Sequence, residues 1–395
     1  MTEHCYELQP RDLLFLRDGR PMDVDKAQQD VRNIGHGANW PRPDHLFKAV
    51  IHGLIGDRMA SLHALHRAGD DGVPAYGDFG ALKVTGPYPV RDGRLYLPRP
   101  LDWDMHAEPC TGTDLPSFLS CGFIDNREGK KKYPAWISED DYQAYLSGKD
   151  AERNGFRYAD GQLFEAETRV GTTLDVRTGS SRRIRDEHRS GRYQGEYLRL
   201  TKGTTMWCAV ETGRIGLKKD GPEAPEMPQT LVMGGQGGLV SRKPTTIGLA
   251  ERFKQPVATG EGPVFVRWTL IAPALFRLTG WCPGWCLDSR KGIAEAERKP
   301  AGTVMFDGCE CCRLIGACTG KPLVYSGWDT RDGVKDTLLA VPAGSAYLFR
   351  CADVSAANAL IAKLHLQRKS DEGPQGFGIG LCSVVPEPAA REQQL

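Results

Sequence analysis

Val354-Ser355-Ala356-Ala357-Asn358-Ala359-Leu360-Ile361-Ala362-Lys363-Leu364, read together with Gly373-Pro374-Gln375-Gly376-Phe377-Gly378-Ile379-Gly380 and Leu381-Cys382-Ser383-Val384-Val385, decides the fold class. Val354, Ala357, Leu360, Ile361 and Leu364 recur at three- and four-residue steps, the period of one helix face. The apolar run after the glycines reads as a strand. Two more strands precede the helix, Pro263-Val264-Phe265-Val266-Arg267-Trp268-Thr269-Leu270-Ile271 and Ala346-Tyr347-Leu348-Phe349-Arg350. The long helical crossovers of a doubly wound sheet are absent, so the pattern predicts an α+β fold.

The amino-terminal half repeats the theme. Tyr6–Pro10 and Asp12–Leu16 read as a strand broken by proline, and Arg17-Asp18-Gly19-Arg20-Pro21 as a turn. From Asp44, the apolar residues Leu46, Phe47, Val50, Ile51, Leu54 and Ile55 predict an amphipathic helix with Asp44 as its N-cap and His45, Lys48 and His52 on a polar stripe. Ala81–Thr85 and Arg94–Leu97 read as a hairpin, and Ser138 opens a short helix in capping-box style with Asp141 in the acidic position. Two tandem ferredoxin-like, RRM-like domains are expected, residues 1–225 and 226–395, with loop insertions.

Between strand-like runs at Arg169–Val176 and Glu196–Arg199, six arginines fall within sixteen residues: Arg177, Arg182, Arg183, Arg185, Arg189 and Arg192. A protruding β-hairpin arm over about 168–200 is the natural geometry. The whole chain carries only +1, from 51 basic and 50 acidic residues, so affinity for a polyanion would come from this local patch and not from the overall field. Arginine offers planar forks that suit phosphate oxygens and stack on bases. The plainer alternative is a solvated surface loop.

Composition sets further bounds. A chain of 395 residues with 40% hydrophobic residues can bury a full core. No apolar run reaches the ~20 residues of a membrane helix, and Met1-Thr2-Glu3-His4-Cys5-Tyr6 lacks a signal-peptide pattern, so no membrane association and a cytoplasmic location are expected. In that setting the twelve cysteines favour metal ligation or burial over disulfides. Six lie between Cys282 and Cys318. Structural zinc held by Cys282, Cys286, Cys309 and Cys312, with Cys311 or Cys318 as a substitute, is one reading, and reduced buried thiols are the other. Asp102, Asp104, Asp140 and Asp141 read as a solvated acidic face. The glycine-rich segment 373–380 lacks the lysine and following helix of a phosphate-binding loop.

Several segments together resemble a known family. They are Asp12–Pro21; Thr85-Gly86-Pro87 with Leu97-Pro98-Arg99-Pro100-Leu101-Asp102; Gly195-Glu196-Tyr197-Leu198-Arg199-Leu200; Ser326-Gly327-Trp328-Asp329; Val341–Tyr347; and the closing glycine-rich loop. Their order along the chain is similar to that of the RAMP proteins of type III CRISPR effectors, specifically the subunit-three family of the type III-B Cmr complex. Two departures are visible. The loop Asn33–Pro43 lacks the family's Pro-Ser or Pro-Thr turn, and Gln236 in Met233-Gly234-Gly235-Gln236-Gly237-Gly238 stands where the family's turn has an acid.

The resemblance implies two tandem RAMP domains and a non-catalytic subunit that grips the 5′ repeat-derived handle of the CRISPR RNA in antiviral defence. Its partners would be the crRNA, the large polymerase/cyclase-like subunit, a neighbouring RAMP backbone subunit and, indirectly, target RNA. Binding single-stranded RNA calls for phosphate contacts and flat groups for stacking. The candidates are Arg17, Arg20, His36, Trp40, Arg42, Lys48, Arg177, Arg182, Arg183, Arg185, Arg189, Arg192, Tyr193, Gly235, Gly237, Gly376, Phe377 and Gly378. An alternative is a metal-independent RAMP endoribonuclease using His36, His45 or His52 as general acid or base. A third is a zinc-stabilised protein-interaction module.

Overall fold

The computed structural model describes residues 2–17, 34–35, 38–55, 82–103, 105–110, 115–125, 134–148, 160–172, 183–184, 189–190, 192–212, 227–287, 299–325, 328–329, 333–334 and 337–389. In chain order its strands are β1 (Thr2–Pro10), β2 (Ile34–Gly35), β3 (Lys83–Arg91), β4 (Arg94–Pro98), β5 (Met105–Pro109), β6 (Cys121–Asp125), β7 (Trp136–Ser138), β8 (Phe164–Thr172), β9 (Arg183–Ile184), β10 (Arg189–Ser190) and β11 (Arg192–Leu200). They continue with β12 (Thr204–Thr212), β13 (Thr230–Val232), β14 (Leu239–Pro244), β15 (Val264–Leu270), β16 (Cys312–Cys318), β17 (Leu323–Tyr325), β18 (Trp328–Asp329), β19 (Gly333–Val334), β20 (Leu338–Ala340), β21 (Ala346–Cys351) and β22 (Gly380–Val385). The helices are α1 (Pro43–Ile55), α2 (Glu139–Leu146), α3 (Asp160–Leu163), α4 (Leu249–Arg252) and α5 (Val354–Leu364).

The chain forms two units. One comprises residues 1–92, 160–245 and 324–337; the other comprises 93–159, 246–323 and 338–395. The expected single cut after residue 225 is corrected accordingly. Spatial proximity, not order along the chain, groups the segments.

In the first unit, five strands run side by side in the order β13, β14, β1, β12, β3, each pair antiparallel. Taking β1, β3, β12 and β14 as first to fourth, the fourth lies beside the first, the first beside the third and the third beside the second. Helix α1 joins first to second and packs on β3 and β13 through Leu46, Phe47, Val50, Ile51 and Leu54, all buried. This is the apolar face the spacing predicts. The helix begins at Pro43, whose fixed φ suits a first turn, so Asp44 sits inside that turn and not before it.

The second unit has its own antiparallel sheet in the order β16, β21, β15, β22. Counting β15, β16, β21 and β22 as first to fourth reproduces the same order, with α5 joining third to fourth. Asp353 caps α5 by accepting the Ala356 N–H at 2.8 Å. The face under α5 is built from Val266, Trp268, Leu270, Leu314, Tyr347, Phe349, Leu360, Ile361 and Leu364. On the other face, the β5–β6 pair packs Ala107, Cys121 and Phe123 against Phe265, Ile315 and Leu348. Ser138 caps α2 as its sequence predicts, accepting the Asp141 N–H at 3.3 Å while its hydroxyl donates to Asp141. Among the described residues no helix is long and apolar enough to cross a membrane.

Candidate nucleic-acid interface

The first unit carries a second, smaller sheet in the order β2, β11, β8. β8 and β11 form an antiparallel ladder from Phe164↔Leu200 to Thr172↔Arg192, and β9 pairs with β10 farther out, at Ile184↔Arg189 and Arg183↔Ser190. Arg183, Arg189 and Arg192 are therefore carried on a β-hairpin. Arg183 lies on β9, Arg189 on β10, and Arg192 and Tyr193 open β11. Arg177, Arg182 and Arg185, with Arg20 and His36, lie outside the described residues. β2 runs parallel to β11, with Ile34 opposite Gln194 and Gly35 opposite Gly195.

The amino-terminal motif is pinned across the same surface. Leu14 exchanges backbone hydrogen bonds with Leu198 at 3.0 and 2.8 Å, and Phe15 accepts the Gly235 N–H at 2.8 Å. Leu14 and Leu16 enter the core, which leaves Phe15 half-buried and Arg17 exposed. Phe15 packs on Tyr197 with ring centroids 5.2 Å apart. Gly234 has φ +76°, and a Cβ there would stand 2.5 Å from the Phe15 carbonyl oxygen, so the 233–238 turn needs glycine to lie this close. Gly235, Gln236 and Gly237 are exposed at its tip, and the Tyr197 hydroxyl donates to Gln236 Oε1 at 2.6 Å. Tyr197 and Gln236 were absent from the candidates. The two-residue spacing of Gly195, Tyr197 and Arg199, which puts all three on one face of a strand, was the signal available.

Toward the β8–β11 end of the hairpin its charge is spent internally. Glu167 accepts hydrogen bonds from Arg199 at 2.5 Å and Arg169 at 2.9 Å. These bonds hold its carboxyl below the usual range. Asp12 lies 3.7 Å from Arg169 and 3.8 Å from Arg199.

Three candidates near α1 serve the fold. Trp40 is buried, donates its indole N–H to Pro87 at 2.8 Å and packs on Phe164, so its face is no platform for a base. Arg42 lies over the Tyr325 ring, 4.3 Å from its centroid, and pairs with Asp44 at 3.2 Å. Lys48 pairs with Asp44 at 3.2 Å from the following turn of the helix but keeps 56% of its side chain exposed. Burial raises the Asp44 carboxyl, but His45, Arg42 and Lys48 outweigh it and hold it well below the usual range. Burial lowers His45 to about 4, with Arg42 and Lys48 adding and Asp44 opposing. His45 Nδ1 accepts the Arg42 N–H. With its Nδ1 lone pair taken by the Arg42 N–H and its basicity lowered by burial, His45 is poorly suited to act as a general base; His52 is exposed.

The 373–380 segment is likewise corrected. Residues 375–380 are buried, the Gly376 N–H goes to Gly373 and the Gly378 N–H to Pro273. Phe377 is 2% exposed. A Cβ on Gly380 would overlap the Trp268 indole. The glycines permit close internal packing, and their N–H groups are consumed there. Asp102, expected on a solvated face, is buried and accepts from Tyr145 at 2.6 Å.

Four described cysteines of the segment are packed among apolar residues. Cys282, Cys286, Cys309 and Cys312 are all buried, Cys311 is exposed and Cys318 half-buried. Cys312 Sγ contacts Cys351 Sγ at 3.0 Å and the Ala356 carbonyl, while Cys282 Sγ faces the carbonyls of Pro283 and Cys286. Among the described residues no three His, Cys, Asp or Glu side chains are grouped so as to hold a metal ion. The preferred ligand set does not fit zinc in this arrangement, and the thiols pack the core under α5.

Fold and surface together define an α+β protein of two antiparallel-sheet units with an arginine-bearing hairpin on the first. The family model described as CRISPR-associated protein (Cas_Cmr3) matches residues 6–385. The chain belongs to that family and is a subunit of a type III-B CRISPR effector. Among solved structures it is similar to a chain of the type III-B Cmr-beta complex bound to cognate target RNA and AMPPnP, at 13% identity over 91% of this chain and 89% of that one, TM-score 0.43. A chain of Cmr-beta bound to cognate target RNA matches at 12% identity over 94% and 95%, TM-score 0.42. A chain of a Csm3-Csm4 subcomplex of the type III-A interference complex matches at 10% identity over 89% and 94%, TM-score 0.35. No curated protein matches the sequence.

Proposed function

We propose that this subunit binds the 5′ repeat-derived handle of the CRISPR RNA without cutting it and docks to the large subunit of the effector. One observation carries the reading. The hairpin bearing Arg183, Arg189 and Arg192 continues from the β8–β11 ladder, which pairs with β2 and itself carries Tyr197, packed on Phe15 and bonded to Gln236 of the exposed 235–237 turn. Guanidinium groups for phosphates, a half-open aromatic pair and a close-lying glycine backbone are what a splayed single strand requires. Arg17 and Lys48 extend the basic surface.

Each unit is a ferredoxin-like module on this reading. The shared strand order supports it, with the first crossover helix described in the first unit and the second crossover helix in the second. The cysteine-bearing segment lies in the connection between β15 and β16, where such a module has its first crossover. For the non-catalytic role, the support is that the Nδ1 of His45 is already bonded and burial lowers its basicity. Sequencing the RNA that copurifies with the protein, expressed beside its genomic neighbours, tests the proposal. A shared 5′ tag supports it, and RNA of random ends rejects it.

A further inference from the structure

On the sheet of the second unit, Arg313 of β16 and Arg350 of β21 are directly opposite each other in the antiparallel register. Their neighbours Cys312 and Cys351, also opposite, point under α5, so the two arginines stand on the other face. Continuing the row, Arg350 is opposite Phe265, where the β5–β6 pair closes this face over Phe265, Ile315 and Leu348. At the arginines the face is open, and both are exposed.

Like charges directly opposite on neighbouring strands repel, and their Cβ atoms lie within about 5.5 Å. A sheet that needs a cation for its own stability supplies partners. Arg267, on β15, has Asp102 at 3.4 Å, the Tyr145 carbonyl at 2.9 Å and Ser383 at 3.2 Å. The guanidinium groups of Arg313 and Arg350 have no hydrogen bond or ion pair with any described residue. No described residue compensates the repulsion.

We infer that Arg313 and Arg350 form a two-guanidinium site for a backbone phosphate of RNA, separate from the hairpin of the first unit. Two planar forks on adjacent strands can each donate to a phosphate's non-bridging oxygens, and a bound anion converts their repulsion into shared attraction. That the anion belongs to RNA rests on the function proposed above; the anion site itself rests on the sheet.

The test uses the full chain and the double variant R313Q/R350Q. The variant is expected to bind handle RNA about tenfold more weakly, with the slope of log affinity against log salt reduced by about 0.7 for the phosphate lost. Its melting temperature in phosphate-free buffer should equal or exceed the parent's, because a repulsion is removed; a merely structural role would lower it. Unchanged RNA affinity and slope overturn the inference while leaving the proposed function standing. Unchanged RNA binding with loss of an acidic partner subunit from the purified effector overturns it in favour of a protein contact. If the parent binds no RNA, the proposed function falls, and inorganic phosphate decides the site: a rise in melting temperature in the parent but not the variant retains it, and an equal rise in both removes it.

Discussion

Arg267 and Asp102 form a buried ion pair in the second unit, 165 positions apart in sequence and 3.4 Å apart in space. The guanidinium also lies 3.8 Å from the centroid of the Tyr145 ring, whose hydroxyl donates to Asp102 and lies 2.8 Å from Thr269 Oγ1. The segment 93–159 is thereby tied to β15. Removing one member of such a pair strands the other in the core, which costs about 3–5 kcal/mol. Asp102→Ala is expected to destabilise by that order, measured by urea unfolding, whereas Asp140→Ala on the surface should be nearly silent.

The arginine hairpin makes a different kind of prediction. Replacing Arg182, Arg183 and Arg185 by alanine should weaken handle binding and flatten its salt dependence by roughly 0.7 log units per lost phosphate contact, with little change in melting temperature. Equal slopes for parent and variant in a filter-binding titration would show that these side chains face solvent.

Trp40 separates packing from recognition. Trp40→Phe keeps most of the buried ring but loses the bond to Pro87, and should cost about 1 kcal/mol of stability. RNA affinity of the folded variant should not change. A stacking role would instead show as weaker binding at unchanged stability.

Acid should loosen the first unit through His45 and Asp44. His45 titrates near 4 when folded against 6.5 ordinarily, so between those values the unfolded chain binds more protons and stability falls as pH falls. Asp44, held low by its neighbours, acts in the same direction, because its contribution exists above the ordinary carboxylate value and is lost on acidification. Unfolding free energies measured from pH 7 to 4 should decline by about 2 kcal/mol more in the parent than in His45→Asn.

Local signals in the sequence carried far. The apolar spacing of α1 and α5, the Ser138 cap and the strands flanking the arginine run were all legible, because each depends on residues within a few positions of one another. What escaped depends on distant partners. Nothing beside Asp102 in the chain announces Arg267, and nothing beside Trp40 announces Pro87. The glycines of 376–380 read as an invitation to a ligand, since the Trp268 indole that fills the space against Gly380 lies more than a hundred residues upstream. The paired thiols Cys312 and Cys351 belong to adjacent strands, a relation that cysteine spacing does not encode.

The chain passes between its two units at 92/93, 159/160, 245/246, 323/324 and 337/338. Domains made from one continuous stretch can fold in turn as they leave the ribosome. Here the first unit lacks a segment until residue 337 has been synthesised, and the second lacks β22 until residue 385. Neither unit is therefore complete until those positions have been made, and a nascent chain stalled near residue 200 would hold β1 and β3 without β12, β13 and β14 to join them.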